Sequence, residues 1–204
     1  MLKADLYPMN RTILDRPAVS KAIRVVTVAP VMAALLVTVF RLNLPGAYSA
    51  LSHYLITLLG LSVLPVMAYP IARAIPALHK KGRHGARSLA IVLSVTGYIV
   101  CMVPAFLMGG SRPEKLIALT YLMSGVLMAL TNFVFHFRAS GHACGVAGPI
   151  AALSLCVSPW YLCLLPLFAL VVASSLKLRR HTLPQLLAGA ACSVAPLLLF
   201  IRLL

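Results

Sequence analysis

Lys177, Arg179, Arg180 and His181 fall within five residues of one another, in an otherwise apolar stretch at 174–189 (SSLKLRRHTLPQLLAG). Two other stretches carry the same signature: 79–87 (HKKGRHGAR) and 137–144 (FRASGHAC), the latter with Ser140-Gly141-His142 opening an apolar run. Lysine and arginine suit phosphate oxygens, and the backbone N–H groups at a helix start suit an anion. A histidine, with an ordinary pKa near 6.5, can act as acid, base or nucleophile close to neutral pH. We read the three stretches as converging on one phosphate-binding site. Asp5, Asp15 and Glu114 are the only acids in the chain and none lies in these stretches, so magnesium held by carboxylates is not expected, nor is any other metal or cofactor.

The elements that must position these residues are transmembrane helices. Apolar residues make up 61% of the 204, charged residues only 10%, and the mean hydropathy is +0.98, far from the soluble average of about a quarter charged. Seven apolar runs, at 22–42, 48–78, 89–108, 116–135, 143–157, 160–176 and 184–203, predict an all-α bundle of six to seven spans, since about 20 residues cross the hydrocarbon core. Residues 1–21 read as a polar lead-in and 22–204 as one bundle. Pro65, Pro70 and Pro76 are expected to kink or end the second span. The fifth run is short, which puts Ser140-Gly141-His142 below the membrane surface. Gly141, Gly145 and Gly148, facing Ala188 to Ala191, allow the close approach that would bring His142 to His181.

Counting crossings puts all three basic stretches on one side. That side carries fourteen of the 18 Lys and Arg residues and the other four (Arg41, Arg112, Lys115, Arg202), so the positive-inside rule places the site at the cytosolic face of the cell membrane. The net charge of +15 is confined to membrane edges, which points to lipid headgroups or phosphate as partners and not to nucleic acid. Many of these bases also serve as ordinary topology determinants and interfacial anchors. His53, inside the second span, is expected to hydrogen-bond within the bundle, and the five cysteines, without ligand spacing, to be small buried residues.

Over roughly 75–195 the chain resembles the type 2 phosphatidic acid phosphatase superfamily. That family's first motif, a Lys, six residues and Arg-Pro, is matched by Lys80 and Arg87, with Ser88 replacing the proline. Its Pro-Ser-Gly-His is matched by Ser140, Gly141 and His142, with Ala139 replacing the proline. Its third, a Ser-Arg, five residues, His, three residues and Asp, is matched by Ser174 and His181, but Ser175 stands for the Arg and Gln185 for the Asp. The resemblance implies a lipid phosphatase acting through a phosphohistidine on His181, with His142 protonating the leaving alkoxide. Lys80, Arg87, Ser140 and the Gly141 backbone would hold the phosphate, and Gln185 would orient the nucleophile. Lys177 is the most economical substitute for the missing Arg, with Arg179 or Arg180 as alternatives. The substrate would be a phosphatidate, a phosphatidylglycerophosphate or a polyprenyl (di)phosphate. The alternatives are a phosphotransferase using the same intermediate, and a non-enzymatic protein that binds or moves an anionic lipid.

Overall fold

The computed structural model describes residues 27–204, and of Arg83, His84 and Arg87 the backbone alone. The lead-in at 1–21 and the first residues of the 22–42 run lie outside the described residues. Among those described there is no strand, and the helices are α1 (Ala29–Asn43), α2 (Leu51–Ala74), α3 (Pro76–His79), α4 (Gly82–Met102), α5 (Arg112–Val134), α6 (Gly141–Cys156), α7 (Pro159–Lys177) and α8 (Leu183–Leu203). Five helices are long and apolar enough to cross a membrane, with α1 and α6 shorter apolar helices beside them. Their outer faces expose side chains such as Leu107, Phe135 and Trp160. In lipid such exposure is the normal state, and every backbone group must be satisfied within its own segment, which is why apolar runs become helices.

The prolines act locally. A π-helical turn at Leu59–Val63 precedes Pro65, and a second, Val103–Leu107, contains Pro104 and extends α4; each absorbs the ladder bond that a proline cannot make. Pro70 stays inside α2, so it does not end the span. The 48–78 run is nevertheless two helices, because Ile75 is extended and Pro76 opens α3.

Taken in the order α1, α6, α8, α5, α4, α2, each helix packs on the next and the last returns to the first, closing a ring. α7 lies outside this ring against α6. Close packing, rather than expulsion of water, holds helices together in lipid, and the contacts are tight. Gly97 of α4 lies directly on the Gly60 carbonyl of α2, and Gly145 of α6 on Ala29 of α1, where a Cβ would collide. Phe40, Leu153 and Leu197 fill the ring at one end. That end holds the turns at 44–50 and 108–111. The connections at 75–81, 135–140 and 178–182, which carry the cationic stretches, all emerge at the other.

The filled end is also tied by polar contacts. Ser111 caps α5, accepting from Glu114 N–H at 3.3 Å, and its hydroxyl donates to the Ala47 carbonyl. Ser-x-x-Glu is a capping-box sequence, yet the Glu114 carboxylate turns away from its own helix. It accepts from Ser49 N–H and from His53 Nδ1 at 2.8 Å, with both side chains buried.

Candidate functional site

At the open end of the ring, between α8 and α5, the chain before α6 dips into the bundle. Ser140 N–H donates to the Gln185 carbonyl at 2.9 Å, and the Ser140 backbone lies against Gly189, where any Cβ would strike its carbonyl oxygen. Gly189 is six residues into α8, so α6 starts about 9 Å below the start of α8. A glycine at 189 is therefore what allows the Ser140-Gly141-His142 turn to be recessed.

A cleft of about 880 Å³ runs through the middle of the ring and reaches this end. Gly141, His142, Arg138 and His181 line it, so the two histidines face one space although 39 residues separate them. Thr27 Oγ1 and His142 Nε2 are hydrogen-bonded at 2.8 Å, which holds that ring from the side of α1. His181 stands in the connection before α8 with its Nδ1 3.3 Å from Gln185 Oε1. With Nδ1–H donating to this carbonyl, Nε2 carries the lone pair. The same Gln185 oxygen accepts Thr182 N–H at 3.1 Å, so one amide caps α8 and orients the imidazole.

His181 and Arg138 also line a second cleft, of about 510 Å³, together with Arg179, Arg180, Thr182 and Gln185. Three arginines and a histidine border this recess, with no carboxylate among its lining residues, a charge distribution suited to an anion. Helix α7 delivers two of them by an unusual ending. Arg179 is left-handed (φ 50°), with its N–H on the Leu176 carbonyl and the next N–H, Arg180, on that of Ser175. This Schellman pattern ordinarily takes glycine, and a side chain in that conformation costs about 1 kcal/mol. Strain of this kind is commonly kept where the side chain has a task.

The residues expected from sequence to hold a phosphate fall in different places. Lys80 and Lys177 are exposed and line neither cleft, because α3 and the last turn of α7 carry them away from His181. The backbone of Arg87 is in α4 next to Ser88, which lines the larger cleft, but its side chain lies outside the described residues. Ser140 is fully buried, its Oγ accepting from Ala143 N–H as the cap of α6, so it positions the turn instead of facing a ligand. Ser174 is buried too, its hydroxyl on the Val171 carbonyl. Gly141 is exposed on the larger cleft. Of the residues bordering the smaller cleft, sequence reasoning assigned Arg138 no role beyond an interfacial anchor and ranked Arg179 and Arg180 behind Lys177. The signal available for Arg138 was its position two residues before Ser140.

His53, read as hydrogen-bonded inside the bundle, has Glu114 as its partner; Cys163, read as buried, is exposed. No three His, Cys, Asp or Glu side chains among the described residues gather as a metal site would require. No family model matches the chain, and no curated protein and no solved structure matches it significantly.

Proposed function

We propose that this protein is an integral-membrane phosphatase releasing phosphate from a lipid phosphate, at a site formed by His181, His142 and the arginines around them. The observation that carries the reading is that His142 and His181 face one bundle cleft while His181 also borders the arginine-lined recess. The phosphate would lie among Arg138, Arg179 and Arg180 with its lipid body in the larger cleft, whose volume is in the range of ligand pockets.

In this mechanism His181 Nε2 attacks phosphorus as the P–O bond to the lipid breaks. Its electron pair leaves with the lipid oxygen, which takes a proton from His142. Water, deprotonated by His142, then attacks the phosphohistidine, the P–N bond breaks and inorganic phosphate departs. Gln185 keeps Nδ1–H engaged throughout but adds no negative charge to balance the ring as it becomes cationic, so a slow phosphatase is expected. A lipid or sugar hydroxyl in place of that water would make the same site a phosphotransferase.

The neutral amide at 185 also favours a second reading, in which the site binds an anionic lipid without turnover. Phosphate release from a lipid phosphate by the purified protein, with acid-labile label trapped on His181, tests the first against the second. No release and no trapped label from any lipid phosphate would reject the phosphatase. The bias of basic residues supports a site on the cytosolic side of the cell membrane, and His84→Cys should then resist impermeant reagents in intact cells.

A further inference from the structure

Helices α4 and α5 meet where Gly125 lies against the Tyr98 ring; a Cβ at 125 would be 3.0 Å from it, and the Tyr98 and Tyr121 rings are 5.9 Å apart. From this crossing toward the open end, Ile91 and Val95 of α4 and Ala129 and Phe133 of α5 all line the larger cleft, and all are exposed. Ile91 is 56% and Phe133 68% exposed, as much as Val92, which does not border the cleft, at 58%. On the opposite wall at the same end, Ala29, Cys144 and Gly145 line the cleft and are half-buried. A side chain that is both cleft wall and outer surface stands at the edge of an opening. The cleft is therefore open sideways between α4 and α5.

The depth and polarity of this opening narrow what crosses it. Along α4 it runs from Tyr98 to Ser88, about 15 Å of helix, which is half of a hydrocarbon layer some 30 Å thick. It thus faces one leaflet, on the side where the cationic stretches emerge. Met128 lies beside Gly141, about 9 Å below the start of α8, so Asn132, one turn nearer the open end, is within about 5 Å of the level of the arginine-lined recess. Ser88, Asn132 and Arg138 make the outer end of the cleft wall polar, and Ile91, Val95 and Ala129 make it apolar immediately below. A lipid has the same gradient over the same distance, and in that leaflet its chains already lie against the opening.

We propose that the lipid ligand enters through this opening, sideways from the leaflet on the site's own side, its chains lying along α4 and α5 while its phosphate reaches the arginines. No chain then has to leave hydrocarbon for the ligand to bind. The proposal takes from the phosphatase reading only that the ligand is a lipid phosphate.

The test is photolabelling of the full-length protein in phosphatidylcholine vesicles by a diacylglycerol phosphate with a diazirine in one chain, the adducts being mapped by mass spectrometry. Adducts at 91–95 and 129–133 should fall about tenfold under excess unlabelled diacylglycerol phosphate, whereas those on the outer face of α7, at Leu165 and Leu170, should not. Val95→Trp with Ala129→Trp narrows the opening from both sides and should lower the competable label about tenfold. If no adduct at the opening responds to the competitor, as when bulk lipid alone touches it, the proposal is overturned. It is overturned equally if the competable label survives in the double variant. Both positions are exposed, and if the double variant does not purify, Ala129→Trp alone decides. Phosphate release is scored separately: release without competable label at the opening rejects the route alone, and competable label without release from any lipid phosphate rejects the phosphatase alone.

Discussion

The two ends of this bundle hold their polar residues in opposite ways. At the filled end, Glu114 is buried and matched by Ser49 N–H and His53, and Ser111 joins its turn to Ala47. The left-handed positions there, Gly46 and Gly109, are glycines. At the open end the left-handed positions include His136 and Arg179 besides Gly82, and the arginines and His181 border clefts. One end has local structure, capping and charge pairing in agreement; the other accepts strain and leaves like charges together. Under the proposed function, such disagreement between local preference and structure marks the functional end, with the ligand supplying the missing anion.

Seven substitutions would break or sharpen this contrast. His181→Ala should lower phosphate release by roughly a thousandfold or more, and His142→Ala by about a hundredfold or more, with less loss on an aryl phosphate that needs no proton to leave. Full activity in the His181 variant on a lipid phosphate would end the assignment.

At the filled end, Glu114→Ala strands buried donors and should destabilise the fold by about 3 kcal/mol, seen as easier denaturation in mixed micelles. The KM of whatever folded protein remains should stay constant. A changed KM with stability intact would mean that the two ends are not separate in role.

Arg180→Ala should raise KM and weaken vanadate inhibition about tenfold, as expected for a charge-assisted contact. Lys80→Ala and Lys177→Ala should do less, because neither residue lines a cleft. The reverse order would restore the motif lysines as ligands. The smallest effect separates stability from binding in one residue. Arg179→Gly should relieve the left-handed strain and stabilise by up to about 1 kcal/mol while weakening vanadate inhibition; unchanged inhibition would make Arg179 a bystander.

Much of the architecture could be read from composition. The 116–135 run corresponds to Arg112–Val134 and the 184–203 run to Leu183–Leu203, because a chain in hydrocarbon has few options besides helix. The small residues of α6 and α8 likewise signalled a close pair. Pairings across long separations were not legible. Nothing local links Glu114 to His53, and nothing in 174–181 announces that Leu178 ends the helix and Arg179 turns left-handed, which directs Arg179 and Arg180, and not Lys177, toward the cleft. Counting residues back from His181 presumes a continuous helix there, and the Schellman ending removes that presumption.

The recess created at Gly189 also has an electrical consequence. The Gly141 turn lies about 9 Å deeper than the start of α8, so an anion that moved from the arginine-lined recess to the Gly141 backbone would travel part way along the voltage drop across a hydrocarbon layer some 30 Å thick. A doubly charged anion settling there would cross up to about a third of that drop, so each 100 mV would change its affinity by at most about tenfold. The sign depends on which face the opening meets. For a cytosolic opening, an inside-negative potential draws the anion inward and tightens binding; for an outward opening it weakens it. Vanadate inhibition in vesicles clamped at opposite potentials would thus report the direction in which the protein is inserted.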